Sequence, residues 1–148
     1  MGITLNTADE IRIGQLAIRF LLTGEATGGA LALFEFSVPS GARVPAAHSH
    51  DGYEETIYGL DGVLTWALGD REVDVAAGEV LCIPRGQVHR FDNHGESDAR
   101  GLAVVTPGVL GPDYFRDVAA VVQSAAGGAP DAAALAEVML RHGLTPAP

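Results

Sequence analysis

Between residues 30 and 106 the chain is cut into short alternating runs by turn residues, and that rhythm leaves few folds open to it. In residues 30–38, Ala32, Phe34, Phe36 and Val38 fall on one face and Leu31, Leu33, Glu35 and Ser37 on the other, the period of a half-buried strand. Pro39-Ser40-Gly41 stops that strand. Leu60-Asp61-Gly62 supplies an Asp-Gly hairpin turn, and Gly69-Asp70 and Ala76-Ala77-Gly78-Glu79 turn the chain again. The runs between these turns, 63–68, 72–75 and 80–83, read as strands, with Leu64, Trp66 and Leu68 on one face of the first and 99–106 as the last. Connections this short leave no room for βαβ units. The fold class is therefore all-β, a sandwich or barrel.

Residues 11–22 add one or two strands ahead of this block, and the glycine-rich loop 23–29 separates them from it. That loop has neither a phosphate-binding lysine nor a following helix, so it is a turn. Cys82, within the run 80–83, is expected to be a small buried hydrophobe.

The chemistry is concentrated in residues 41–93. Side chains at i and i+2 of a strand share a face, so His48-Ser49-His50 aims two imidazoles one way. The following segment, Tyr53-Glu54-Glu55-Thr56-Ile57-Tyr58, suits the next strand, able to lie beside the first, and carries a carboxylate. A third imidazole, His89, follows the turn Pro84-Arg85-Gly86 and shares a face with Phe91. Three imidazoles and one carboxylate suit a single divalent first-row transition metal (Fe, Mn, Co, Ni, Cu or Zn), and one cysteine cannot build a thiolate site.

These spacings resemble the two motifs of the cupins, G-x5-H-x-H-x3/4-E-x6-G and G-x5-P-x-G-x2-H-x3-N. Gly78, Pro84, Gly86, His89 and Asn93 meet every fixed position of the second, and His48, His50, Glu55 and Gly62 meet the first. Gly41 lies one residue too far from His48, which reads as a longer turn. Both Glu54 and Glu55 satisfy the loose gap after His50, but only Glu55 has six residues between it and Gly62, so the resemblance selects Glu55. It implies a double-stranded β-helix (jelly-roll barrel) in one domain spanning 1–148, with barrel core about 11–106, and a metal held by His48, His50, Glu55 and His89. Inward aromatic residues, Phe34, Phe36, Trp66 and Phe91, are core or wall of a substrate pocket in such a barrel.

After Pro107 the period changes to that of helices. Pro112 stands at a helix start, and Phe115, Val118 and Val122 recur at helical spacing. A second helix is expected over about 131–141, with Leu135, Val138, Met139 and His142 on one side, Gly143 at its cap and Pro146 as its stop. This extension, about 112–142, resembles that of small single-domain cupins grouped with quercetin dioxygenases. The resemblance implies dioxygenase chemistry on a small aromatic or enol-type substrate, with Glu55 as ligand and base. The alternatives are non-redox Lewis-acid chemistry (cyclase, isomerase or lyase) and a barrel that binds a small molecule without turnover.

Composition narrows the partners. The nine basic residues are all arginine, which excludes Schiff-base catalysis and a P-loop. A net charge of −10 argues against nucleic acid and anionic membrane surfaces and favours small-molecule chemistry, and the inward phenylalanine and tryptophan residues suit an apolar or aromatic substrate. Met1-Gly2-Ile3-Thr4-Leu5-Asn6 has no signal-peptide pattern, no window is apolar enough to span a membrane, and one thiol allows no internal disulfide, so the cytoplasm is expected. His94 is expected to point away from the His89 face, and His142 to serve its helix end. Strands within residues 3–22 are expected to pair across a two-fold axis in a homodimer.

Overall fold

The computed structural model describes residues 10–148. Ten strands form the body: β1 (Glu10–Ile13), β2 (Leu16–Leu22), β3 (Ala32–Val38), β4 (His48–His50), β5 (Glu54–Asp61), β6 (Val63–Leu68), β7 (Arg71–Ala76), β8 (Val80–Ile83), β9 (His89–Asp92) and β10 (Ala99–Thr106). Two helices follow, α1 (Pro112–Ser124) and α2 (Ala132–Arg141), and then a short strand, β11 (Leu144–Pro146). One sheet has the order β1-β2-β3-β10-β5-β8 and the other β11-β4-β9-β6-β7, with every pairing antiparallel. The architecture is the double-stranded β-helix with two C-terminal helices. Residues 3–9 of the stretch expected to pair across a two-fold axis lie outside the described residues.

The alternation read in residues 30–38 is realised. Ala32, Phe34, Phe36 and Val38 are buried, and their neighbours face outward or partly so. The register then sets large residues against small ones: Phe36 lies opposite Gly101, Phe34 opposite Ala103 and Val38 opposite Ala99. At Gly101 a Cβ would stand 2.6 Å from Phe36 Cζ, so only glycine lets the ring lie across β10. Close packing of this kind leaves little volume free inside the barrel.

The helical extension docks on the barrel. Phe115 of α1 stacks edge-on to Phe34 at 5.1 Å and tilts against Phe20 at 5.7 Å, while Tyr114 and Val118 are buried. Asp131 caps α2 by accepting from the backbone N–H of Ala133 and Ala134. Asp117 of α1 accepts from His142 Nε2 at 2.8 Å, tying the end of α2 to α1. His142 thus serves its helix end, as expected.

Three expectations are corrected. Pro146 does not merely follow a stopped helix: Gly143, at φ 82, ends α2, and the next three residues pair with β4 as an edge strand, Leu144 opposite His50 and Pro146 opposite His48. Proline is tolerated there because an edge strand leaves one side of its ladder unpaired. Cys82 is exposed, because β8 is the outer strand of its sheet and alternation turns Cys82 away from the buried Ile83. β5 does not lie beside β4. The two belong to opposite sheets, so His50 and Glu55 meet across the barrel interior. No helix among the described residues is long and apolar enough to cross a membrane.

Candidate metal centre

Each histidine is aimed by the strand that carries it. β4 is three residues long and is gripped on both edges, by β11 on one side and by β9 on the other, where His48 pairs with His89. The turn after β8 adds a third hold: Gly86, at φ 78, a conformation that side chains resist, donates its N–H to His50 O at 2.9 Å. Asn93 pins the far end of β9, its amide donating to Val38 O at 2.8 Å and Ser97 O at 2.9 Å. The glycine and asparagine of the second motif therefore fix the backbone around His50 and His89.

The three imidazoles converge. Their candidate ligand atoms lie within 4.8 Å of one another, with ring centroids 4.5 Å apart for His50 and His89 and 4.7 Å for His48 and His89. His48 Nδ1 lies 2.8 Å from Ala46 O and His89 Nδ1 2.9 Å from Gln87 O. A carbonyl oxygen only accepts, so both Nδ1 atoms carry the proton and both Nε2 lone pairs are free. Glu55 comes from the facing sheet, and its Oε2 lies 3.4 Å from His50 Nε2. The tight grouping is the three histidines; Glu55 stands beside His50 at its border.

Burial sets the charge state. It pushes the His50 imidazole down to about 2, helped by His89 and His48, and the His89 imidazole down to about 4, helped by His48. His48 is lowered as well, chiefly by burial. Burial pushes the Glu55 carboxyl up to about 7. The residues therefore fit a divalent metal: three imidazoles neutral at pH 7, with candidate ligand atoms grouped within 4.8 Å, and a carboxyl ready to ionise beside a cation. Buried groups that must stay uncharged in apolar surroundings lose that constraint when a cation joins them.

Glu54 and Glu55 part as strand alternation requires. Glu55 faces inward with Ile57, whereas Glu54 faces out and pairs with Arg85 at 2.5 Å. That ion pair lowers the Glu54 carboxyl, through the Arg85 hydrogen bond first.

The histidines and Glu55 line a cavity of about 70 Å³, which Phe34, Phe36, Trp66 and Phe91 line as well. Nothing in the residue pattern signals that the helical extension shares it. Leu110, Tyr114, Phe115 and Val118 line the cavity from α1 and its approach, and Leu144 from β11. Phe115 and Val118 carried a helical period, but Tyr114 had no signal beyond its place next to Phe115. The Trp66 indole N–H, the Tyr53 hydroxyl and His50 Nδ1 are buried without a hydrogen-bonding partner among the described residues. Tyr53 stacks on His50 with centroids 4.4 Å apart.

The profile of the cupin domain family matches residues 34–105. A quercetin 2,3-dioxygenase of Bacillus subtilis is 28% identical over 110 residues, 73% of this chain, but the match spans only 31% of that longer protein. An oxalate-binding protein of Thermotoga maritima is 31% identical over 93 residues, covering 62% of this chain and 76% of that one. A crystal structure described as a predicted oxalate decarboxylase from Thermotoga maritima superposes with a TM-score of 0.63 at 24% identity, over 71% of this chain and 99% of that chain.

Proposed function

The chain belongs to the cupin family, and on that premise we propose that it is a metal-dependent enzyme that adds dioxygen to a small enol-type substrate. The observation that carries the reading is the convergence of three neutral imidazoles and a buried carboxyl on one mainly apolar cavity. His48, His50, His89 and Glu55 would hold one divalent transition metal. When bound, that ion supplies Lewis acidity toward substrate oxygens and, for a redox-active metal, one-electron chemistry toward dioxygen.

The chain's own residues supply the rest. Glu55, the one carboxylate on the cavity wall, would accept the enol O–H proton, leaving an electron-rich enolate to react with dioxygen. Both oxygen atoms end in the product, so no external reductant enters the balance. Phe34, Phe36, Trp66 and Phe91 keep water from the enolate and give the substrate's carbon body an apolar seat. A volume of about 70 Å³ is less than half of the roughly 150 Å³ cavity that admits benzene. That size speaks against a substrate as large as a flavonol. The test is oxygen uptake by protein loaded in turn with Fe, Mn, Co, Ni, Cu and Zn, offered small enolisable dicarbonyls and a flavonol. Uptake with a redox-active metal and a small enol is expected. Turnover of carbonyl substrates by the zinc form, with no uptake by any form, would replace oxygen chemistry with Lewis-acid catalysis.

The relative described as an oxalate-binding protein supports a second reading, a barrel that binds a small two-oxygen ligand without turnover. Tight binding with no product would establish it. A homodimer belongs to the same proposal, since β1 is the outer strand of its sheet. Sedimentation at twice 15.3 kDa is the expected result.

A further inference from the structure

The polar inventory of the cavity is short, and it is unbalanced toward donors. Apart from the histidines and Glu55, its wall offers the Tyr114 hydroxyl and carries Trp66, whose N–H has no partner. Arg90 reaches the lining, but its guanidinium is tied to Asp92 at 3.1 Å through two nitrogens. Tyr114 is the outlier of this set. It comes from α1, outside the barrel, yet it is 5% exposed and shares the cavity with Glu55. The fully enclosed polar atoms without a partner are those of His50, Tyr53 and Trp66, whereas Tyr114 lines the cavity itself together with Glu55. A hydroxyl on such a wall can donate to an oxygen that enters the cavity.

The ring is held firmly. Phe115 lies edge-on to it at 5.0 Å and His142 at 5.5 Å, and His142 is anchored by Asp117. Tyr114 is thus positioned by both helices. Its ionisation is raised out of reach, by burial first and by Glu55 second, so it remains a donor at any ordinary pH.

We infer that Tyr114 is a substrate-binding residue, whose hydroxyl donates a hydrogen bond to an oxygen of the ligand held at the three-histidine centre. The ligand class is a small molecule with two neighbouring oxygen acceptors, one for the metal and one for Tyr114, on a short apolar body. This rests on the metal-centre reading above. It makes the helical extension part of the site.

The test uses the full chain loaded with cobalt(II), whose visible bands report its ligands, and two probes. Acetohydroxamate offers two oxygen donors, whereas azide binds a metal through one end and leaves the phenol untouched. Tyr114→Phe should bind one cobalt as wild type does, weaken acetohydroxamate about tenfold and leave azide within about twofold. Tyr58→Phe, on the exposed side of β5, should change neither. Undiminished acetohydroxamate binding in Tyr114→Phe would overturn the inference, and so would equal weakening of both probes, which marks a merely structural role. Failure of wild type to bind cobalt would overturn the metal-centre reading instead, and this inference with it.

Discussion

Replacing Glu55 by glutamine should stabilise the protein stripped of metal at alkaline pH. Burial holds the Glu55 carboxyl at about 7 against an ordinary 4.5. A folded value above the unfolded one means that this group's contribution is fully present below about pH 4.5 and is lost as pH rises through 7. At about 1.4 kcal/mol per pH unit, ionisation of the buried carboxyl costs about 3 kcal/mol at pH 8. Glutamine keeps the shape and never ionises, so the variant should recover most of that amount. In a chain of this size about 2–4 °C accompanies each kcal/mol, which makes the expected rise in Tm about 6–12 °C at pH 8. At pH 5 the difference should shrink to about 3 °C or less, because the folded carboxyl is then neutral and only ionisation in the unfolded chain, about 1 kcal/mol, remains. The unfolded-state titration of the histidines is common to both proteins, so comparison at a single pH cancels it. The assay is calorimetric melting after exhaustive chelation, at pH 5 and at pH 8. Equal melting at both pH values would refute the reasoning, since the carboxyl would then ionise without penalty. With metal restored the order should reverse, because glutamine lacks the charge that the cation needs.

Other consequences concern separate parts of the structure. Metal affinity should fall about tenfold per pH unit as pH drops below 7, through the proton that Glu55 exchanges, while His50 and His89 stay neutral down to about pH 5. A slope approaching four below pH 6.5, measured by competition with a chelating dye, would mean that the imidazoles are ordinary. Gly101→Ala should cost about 1–3 kcal/mol by urea unfolding, because its Cβ would meet the Phe36 ring at 2.6 Å. Deleting residues 144–148 removes the partner of β4 and the buried Leu144, so both Tm and metal affinity should drop. Retention of wild-type affinity by the truncated chain would show that β9 alone suffices to hold His48 and His50.

The strands were legible because they obey a period of two between glycine turns, and residues 63–68, 80–83 and 99–106 appear with those bounds. The histidine cluster was legible because i, i+2 spacing on a strand leaves little freedom in direction. What the sequence did not carry was pairing between distant segments. Nothing local shows that β4 and β5 enter opposite sheets, although the two cupin motifs survive that arrangement unchanged. β11 escaped notice because three residues ending in proline have no strand signal of their own; only the waiting edge of β4 makes them one. Tyr114 was hidden for a related reason, since its neighbours form a cavity wall only after α1 folds back onto the barrel. Cys82 was misjudged because hydrophobicity suggests burial while the edge position of β8 decides otherwise.

Elemental analysis of protein purified without chelator, on wild type and on His48→Ala, His89→Ala, Glu54→Ala and Glu55→Ala, tests the centre most directly. The expected result is one first-row transition metal per chain in wild type and Glu54→Ala, with loss in the other three. No bound metal in wild type even after reconstitution, or loss in Glu54→Ala with retention in Glu55→Ala, would contradict the account.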